Sequence, residues 1–530
     1  MATSSTFDIS ALTKPSCYPH PVERVEIIET HISWVFLAGK FAYKVKKPVN
    51  FGFLDFSDLA KRQHFCTEEL RLNKRLAPKL YLNVLPIVVG PLGIRFGGPG
   101  EIVEYAVQMR CFSQDERLDN MLERGKLKPN QVDALASLVA QFHSQVAVAA
   151  PDSEFGTPES IWAPVAENFA QIEPLLDDEK DRQELAQVRD WSVAAFEGLR
   201  ELIGERKAKG FVRECHGDLH LANLVYADKH VTAFDCLEFN PALRWLDVMS
   251  DVAFLVMDFQ QRGHDGLSAR FLDGYLSKTG DYAGVALLAF YQTYRAMVRA
   301  KVARLRLAQP GVSAKESELL KEQYAQYLAL AKDYTATPKP ALIIMHGISG
   351  SGKTVVSQQM VEYFSAVRVR SDVERKRLFG VPTKPRKGAK VGEGIYSEQA
   401  SEQTYAHLAE LAGALLRTGV SVIVDAAFLK ANQRALLQGV ALAAGVPFAI
   451  VDCHAPVDTL KSRVAARGRS DASDADISVV DQQLKTYEPI TDDEWAFCVG
   501  AETYPEFAEA TVVGEINSIL RAWKRVAVSA

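Results

Sequence analysis

The chain is predicted to be α+β in its first part, with a small β-rich lobe followed by a helical lobe. Its second part is predicted to be α/β, a parallel sheet covered by helices. Three observations lead there. The 530 residues exceed what one hydrophobic core organises, so two or more domains are expected. From Ala341 onward, short apolar runs alternate with helical patterns, the mark of a parallel sheet. Before that point strand-like segments come first, and helical periodicity takes over from Lys128.

In chain order, "HISWVFLAGKFAYKVKKPV" predicts two strands joined by a Gly-Lys turn, with a helix following from about Asp58 to Leu76. "EIVEYAVQMRCF" is another strand. Helical patterns then run from Lys128 to about Leu202 and from Phe271 to Ala308. A polar helix from about Ser313 to Lys332 gives way to a Thr/Pro-rich linker, Tyr334 to Pro340. The domains are therefore expected at 1–335 and 341–530, with 336–340 between them. In the second, "ALIIMHG", "AVRVRSD", "VSVIVDA" and "PFAIVDC" are strands. Helices are expected from Lys353, from Ser397 to Thr418, after "VSVIVDA", and from Val457.

The residues are 48% hydrophobic and 24% charged, with a net charge of −5. That balance supplies no global basic field, which disfavours nucleic acid and anionic lipid as partners. No apolar run approaches the roughly 18–20 residues that span a bilayer. The segment "MATSSTFDISALTKPS" lacks the basic-then-apolar order of a signal peptide. The seven cysteines include no C-x-x-C pair and no cluster at zinc-ligand spacing, which suits a reducing compartment. A cytoplasmic protein without a membrane partner is expected; oligomeric state is not legible.

Two motifs carry chemistry. The first is "CHGDLHLANLVYADKHVTAFDCLEF", Cys215 to Phe239. Phosphoryl transfer needs a carboxylate to orient the attacking hydroxyl and oxygen ligands for Mg²⁺. Asp218, Asn223 five residues on, and Asp235 at the end of a strand-like run supply both in the order of a kinase catalytic loop. A polar hairpin whose Asp and Asn cap turns is the plainer alternative.

H-G-D-x-H-x-x-N followed by a strand ending in Asp resembles the aminoglycoside phosphotransferase and choline kinase branch of the protein-kinase-like fold, over roughly residues 20–310. The resemblance implies Asp218 as catalytic base and Asn223 and Asp235 as metal ligands. His216 and His220 would shape the loop, and Asp247 would be the buried brace beneath it. "FAYKVKKPV" resembles the strand whose lysine meets the nucleotide phosphates. Lys44 and Lys46 face one side; Lys44 is preferred, with Glu69, or else Glu68, as its acidic partner. No G-x-G-x-x-G precedes this lysine, and Gln108 to Arg110 are expected at the adenine hinge.

The second motif, "GISGSGKT", matches G-x4-G-K-[ST] between a strand and a helix. Its glycines, Gly347, Gly350 and Gly352, let the backbone, with Ser349 and Ser351, curl around phosphates at a helix N-terminus. Lys353 is placed to reach the β- and γ-phosphates, and Thr354 to bind Mg²⁺. "VRVRSDVERKRL" ends a strand in Asp372, with Arg375 three residues on. This domain resembles small P-loop kinases such as gluconate kinase, polynucleotide kinase and zeta-toxin-like enzymes. The resemblance implies Asp372 as acceptor of the substrate's hydroxyl proton. It places Asp425 in the Walker B position, and Arg463, Arg467 and Arg469 in a lid that meets the γ-phosphate. Asp372 as a plain helix N-cap is the bland alternative. The basic run Thr383 to Tyr396 is expected to cover the acceptor site or to be a charged surface loop. Arg295, Arg299, Arg304 and Arg306 are expected on a solvated or interdomain helix face.

Taken whole, the chain resembles bacterial fusions of an aminoglycoside phosphotransferase-like domain with a P-loop AAA-type or gluconate kinase-like domain. That implies two ATP- and Mg²⁺-using sites and a phosphotransferase acting on small hydroxyl-bearing molecules. Alternatives are a kinase of nucleic-acid ends or nucleotide sugars, and a P-loop kinase regulated by a non-catalytic nucleotide sensor.

Overall fold

Strand alternation organises the first lobe. In a computed structural model, which describes residues 8–526 except 51, 53, 92, 382–393 and 467–474, the strands are β1 (Val25–Glu29), β2 (Ser33–Ala38) and β3 (Phe41–Lys46). Helix α1 (Leu59–Asn73) follows, then β4 (Tyr81–Gly90), β5 (Gly93–Phe96) and β6 (Glu101–Arg110). They form one antiparallel sheet in the order β1-β2-β3-β6-β4-β5. Gly39, at φ +62°, makes the turn that closes the β2–β3 hairpin. Alternation in β3 sends Tyr43 and Val45 into a cluster with Phe36, Ile87 and Phe96. The opposite face presents Lys44 and Lys46 to Glu69 of α1. Strands β1, β4 and β5 were not foreseen: β1 has four exposed residues among its five, and β4 breaks alternation at its bulges.

The helical part of this unit begins with α2 (Leu118–Glu123), α3 (Pro129–Gln145), α4 (Pro158–Ile172) and α5 (Glu179–Ala208). Short strands β7 (Val212–Glu214), β8 (Leu224–Ala227), β9 (His230–Ala233) and β10 (Trp245–Asp247) then carry the first motif, and α6 (Val248–Gln261) follows. In chain order α7 (Asp265–Thr279), α8 (Leu288–Leu307) and α9 (Ala314–Tyr334) come next, of which α7 lies wholly in the second unit. The chain divides into two compact units. One is Met1–Asp258 with Tyr294–Leu328, and the other is Phe259–Thr293 with Ala329–Ala530.

In the second unit the order is β11 (Leu342–His346), α10 (Lys353–Phe364), β12 (Val367–Arg370), α11 (Ser371–Leu378) and α12 (Glu398–Arg417). It continues with β13 (Val422–Asp425), α13 (Ala431–Ala444), β14 (Phe448–His454), α14 (Val457–Ala465) and α15 (Ile477–Thr486), ending in β15 (Cys498–Glu502) and α16 (Glu509–Val526). All five strands are parallel, ordered β12-β13-β11-β14-β15. β11 is buried at every position, which its unbroken apolar run requires. Helix α7 belongs to this core: Ala269 packs with Ile343, Met345 and Met360, and Asp273 accepts from the Arg368 backbone and guanidinium at 3.0 Å each. Because β11 lies between β13 and β14, its carboxyl end opens at a topological switch point, the place where such sheets hold ligands.

Candidate functional sites

In the first unit, Lys44 Nζ lies 2.9 Å from Glu69 Oε1 and 2.6 Å from Asp235 Oδ1. Lys46 Nζ donates to Glu69 Oε2 at 2.7 Å and also contacts Glu238. Its side chain is wholly buried, whereas that of Lys44 keeps 12% exposure. Lys44 is thus the lysine that keeps an exposed surface, and Lys46 is an internal strut. Glu68 turns instead to Arg71, at 2.9 Å. Burial opposes ionisation of Glu69, but Lys44 and Lys46 outweigh it and hold the carboxyl down at about 2.

Asp218 follows a loop tied down from below. Asp251, on α6, accepts the His216 N–H at 2.8 Å and the Gly217 N–H at 3.0 Å. Asp258, two turns on, accepts the Leu221 N–H at 2.8 Å. Gly217 stands at φ +86°, and a Cβ there would lie 2.8 Å from the Leu243 carbonyl oxygen. The His216 ring reaches the Phe234 carbonyl at 3.0 Å through Nε2. That acceptor places the ring proton on Nε2 and leaves Nδ1 to accept the Asp218 N–H at 3.3 Å. Asn223 Nδ2 donates to Asp218 Oδ2 at 3.0 Å, and His220 Nε2 is 3.4 Å from the same oxygen. The Asp218 side chain is 39% exposed, and Oδ1 has no bond among the described residues. Burial opposes its charge, but His220 and Arg299 outweigh that and hold the carboxyl below the usual range. Asp235 sits at φ +63°, a left-handed conformation held by Tyr81 OH on its N–H at 3.2 Å.

Three expectations are corrected here. The brace beneath the loop is Asp251, because Asp247 in β10 is committed to Arg206 at 2.7 Å. Gln108 and Met109 lie inside the sheet, paired with Tyr43 and Ala42, and the Arg110 N–H donates to Leu80. The arginine stripe is not a solvated face. Arg295 is buried and donates to the Gly217 carbonyl at 3.0 Å, Arg304 pairs with Asp181 at 2.7 Å, and Arg306 pairs with Glu316 at 2.8 Å. Helical spacing revealed the stripe, but burial depends on what packs against it.

In the second unit, the loop from Gly347 to Thr354 joins β11 to α10. Gly347, Gly350 and Gly352 have φ of +132°, +90° and +90°. A Cβ on Gly347 would sit 2.5 Å from the Cys453 carbonyl oxygen, and one on Gly350 2.7 Å from that of Leu460. Only glycine fits either place. Lys353 Nζ donates to the Gly347 and Ile348 carbonyls at 2.7 and 2.9 Å. Ser351 Oγ is buried without a hydrogen-bond partner. The Ser349 N–H donates to Gln483 of α15 at 2.8 Å.

A cavity of about 290 Å³ opens beside this loop, lined by Lys353, Thr354, Asp372, Asp425, Arg370 and Arg375 among others. Asp372 is in the first turn of α11 and does not cap it; the N-cap position is Arg370. Arg370 Nε is 3.7 Å from Asp425 Oδ2. Arg375 donates to the Ile395 carbonyl at 2.8 Å. Arg463 lies outside this lining: it donates to the Gly350 carbonyl at 3.2 Å and to the Thr503 carbonyl at 2.7 Å. Arg467, Arg469 and most of the basic run, residues 383–393, lie outside the described residues.

A model of the Phosphotransferase enzyme family matches residues 64–288, and an AAA domain model matches residues 342–490. The uncharacterized protein Rv2004c of Mycobacterium tuberculosis (strain ATCC 25618 / H37Rv) is 31% identical over 468 residues, covering 86% of this chain and 90% of its own. The chain belongs to the Rv2004c family. It is a fusion of an aminoglycoside phosphotransferase-like domain, with the bilobal kinase-like fold, and a P-loop domain. Among solved structures, a gluconokinase from Sinorhizobium meliloti 1021 is similar at 20% identity, over 36% of this chain and 96% of its own, with a TM-score of 0.24. The amicoumacin kinase hAmiN, in complex with AMP-PNP, Ca²⁺ and Ami, is similar at 12% identity, over 61% and 94%, with a TM-score of 0.40. Together these domain matches support a phosphotransferase in general.

The donor sets of this family member fit the groups its domains imply. In the first unit, Asn223 Oδ1 and the second oxygen of Asp235 carry no bond among the described residues, and both are hard donors suited to Mg²⁺. In the second unit the glycine cradle, the unpaired Ser351 Oγ and the cavity-lining Thr354 and Asp425 suit a phosphate with its metal. His143, Cys215 and Asp251 also place ligand atoms within 4.8 Å of one another, but the Asp251 oxygens are taken by the loop N–H groups. All seven cysteines are free thiols. Among the described residues no helix is long and apolar enough to cross a membrane.

Proposed function

We propose that the protein is an ATP-dependent phosphotransferase with two ATP-binding domains, each transferring the γ-phosphoryl group to a hydroxyl of a small molecule. The observation that carries this is the second unit's cavity, which gathers Lys353, Thr354, Asp425 and Asp372 around one space. A phosphate-binding loop and a carboxylate free to meet a hydroxyl are what phosphoryl transfer requires. The first unit supports the same chemistry with an independent set: Lys44 with Glu69, Asp218, Asn223 and Asp235.

In this reading Asp218 and Asp372 each accept the acceptor's hydroxyl proton as the new O–P bond forms and the bond to ADP breaks. Lys44, oriented by Glu69, and Lys353 hold nucleotide phosphates. Asn223 and Asp235 in one unit, and Thr354 and Asp425 in the other, hold Mg²⁺, which when bound neutralises phosphate charge. Arg463 keeps the P-loop in shape through Gly350, and Arg467 and Arg469 remain the candidates for the lid. The protein acts in the cytoplasm on a small-molecule substrate, without a nucleic-acid or membrane partner.

Calorimetry of the intact chain with a non-hydrolysable ATP analogue and Mg²⁺ tests this. Two nucleotide sites are expected, and Lys353→Ala removes one. A single site in the parent protein contradicts the reading.

A further inference from the structure

Arg299 is none of the groups assigned to nucleotide, metal or proton transfer, yet its charge acts on the Asp218 carboxylate. On α8 it is one helical turn beyond Arg295, so the two share a face. Arg295 donates to the carbonyl of Gly217, the residue before Asp218, at 3.0 Å. Its guanidinium lies 4.8 Å from the Phe254 ring centroid, and the His220 ring packs against the same phenyl at 5.4 Å. This stack places the α8 face against the loop that carries Asp218. Arg299 is part-buried there, and Nε donates to Tyr327 OH at 3.4 Å. Its terminal nitrogens make no hydrogen bond among the described residues, and no carboxylate oxygen of those residues lies within 4.0 Å of it. The nearest acidic groups are already occupied. Asp258 accepts the Leu221 N–H, and Asp218 Oδ2 takes Asn223 and His220.

A charged fork held by Tyr327 but unmatched at its tip is set to receive something negative. Guanidinium geometry favours carboxylate or phosphate. Burial works against its charge, but Tyr327 and the Asp218 and Asp258 carboxylates keep Arg299 protonated above its ordinary range. A cationic acceptor approaching Asp218 would meet this like charge. The lysine assigned to the nucleotide comes from β3, whereas Arg299 comes from α8, on the helical side, and acts on Asp218 through its charge. It therefore stands where an acceptor, rather than ATP, would be held.

We propose that the acceptor of the first unit is an anionic hydroxy compound, its carboxylate or phosphate held by Arg299 while its hydroxyl meets Asp218. This rests on the kinase reading of that unit. Arg299 is then the residue that selects acceptors by charge.

The test uses the intact chain carrying Lys353→Ala, so that transfer reports the first unit. Acceptors share one six-carbon polyol chain: gluconate and sorbitol 6-phosphate as anions, sorbitol as the neutral member, N-methylglucamine as the cation. Binding of each in the presence of Mg²⁺ and AMP-PNP is measured alongside turnover. At least tenfold higher kcat/KM, or tighter binding, is expected for one or both anions over N-methylglucamine, and which anion leads separates carboxylate from phosphate. Arg299→Gln should erase that preference through acceptor KM, leaving the KM for ATP unchanged, and Arg299→Lys should restore part of it. Equal or better use of the cation, a preference that survives Arg299→Gln, or no binding of either anion to a chain that still turns over ATP in an Asp218-dependent way overturns the proposal. If Asp218→Asn leaves turnover at the parental level, the kinase reading of the unit fails instead.

Discussion

Replacing Asp251 by Asn separates the brace from the proposed base, Asp218. Its carboxylate receives two backbone N–H groups, from His216 at 2.8 Å and Gly217 at 3.0 Å, in a fully buried position. Asparagine keeps one acceptor oxygen and turns an NH₂ toward the other donor. One buried N–H left unpaired costs about 1–3 kcal/mol, and loss of charge from the surviving bond costs roughly a further 1 kcal/mol. The total, about 2–4 kcal/mol, is a substantial part of the roughly 5–15 kcal/mol that holds a domain together. At about 2–4 °C per kcal/mol, the thermal midpoint of the first unit should fall by roughly 4–16 °C. Turnover should fall further than folded population explains, because a loop displaced by about 1 Å can cost on the order of 10²-fold. The control is Asp247→Asn, which weakens the buried Arg206 pair but leaves both loop N–H groups held. Thermal denaturation and first-unit turnover are measured for both variants at a temperature where each is folded. The reasoning is refuted if Asp251→Asn turns over like the parent, or if Asp247→Asn loses as much turnover at equal folded fraction.

Three further outcomes are expected. Gly350→Ala, forced into φ +90° against the Leu460 carbonyl, should abolish nucleotide binding in the second unit, seen as one site lost by calorimetry; retained binding would show that the loop tolerates a Cβ. Because the Asp218 pKa is lowered, its carboxyl is ionised throughout the neutral range; first-unit kcat/KM should show no acid limb above about pH 5, and a limb near pH 6 would give the base another identity. Asp452 binds His346 at 2.6 Å and His454 at 2.8 Å, and that hydrogen bond, with Asp452's charge, raises the His454 pKa. Stability from a raised histidine is complete below about pH 6.5 and is lost as pH rises through the folded value. His454→Gln should therefore lower the thermal midpoint more at pH 6 than at pH 9, and a gap independent of pH would exclude the linkage.

Local chemistry made much of this protein legible in its residues. The G-x4-G-K-T pattern requires glycine where the backbone turns to positive φ, so Gly347 to Thr354 announce a phosphate loop without any contact map. The spacing of Asp218, Asn223 and Asp235 marks a second candidate site in the same way. Alternation placed Lys44 and Lys46 on one face, and helical periodicity located most of the long helices. Tertiary packing decided the rest. Lys44 and Lys46 are equivalent in the alternation, and only their surroundings make one a reachable cation and the other a buried strut between Glu69 and Glu238. Asp247 and Asp251 lie four residues apart, and the brace is whichever carboxylate the fold brings beneath the loop. Helix α7 joins the core of the P-loop unit although the phosphate loop lies some way further along the chain. By sequence Arg299 is one more charge on a helix, and only the fold sets Tyr327 against it. Periodicity and motif spacing are properties of neighbours in sequence, whereas burial, pairing and an unmatched charge are properties of neighbours in space.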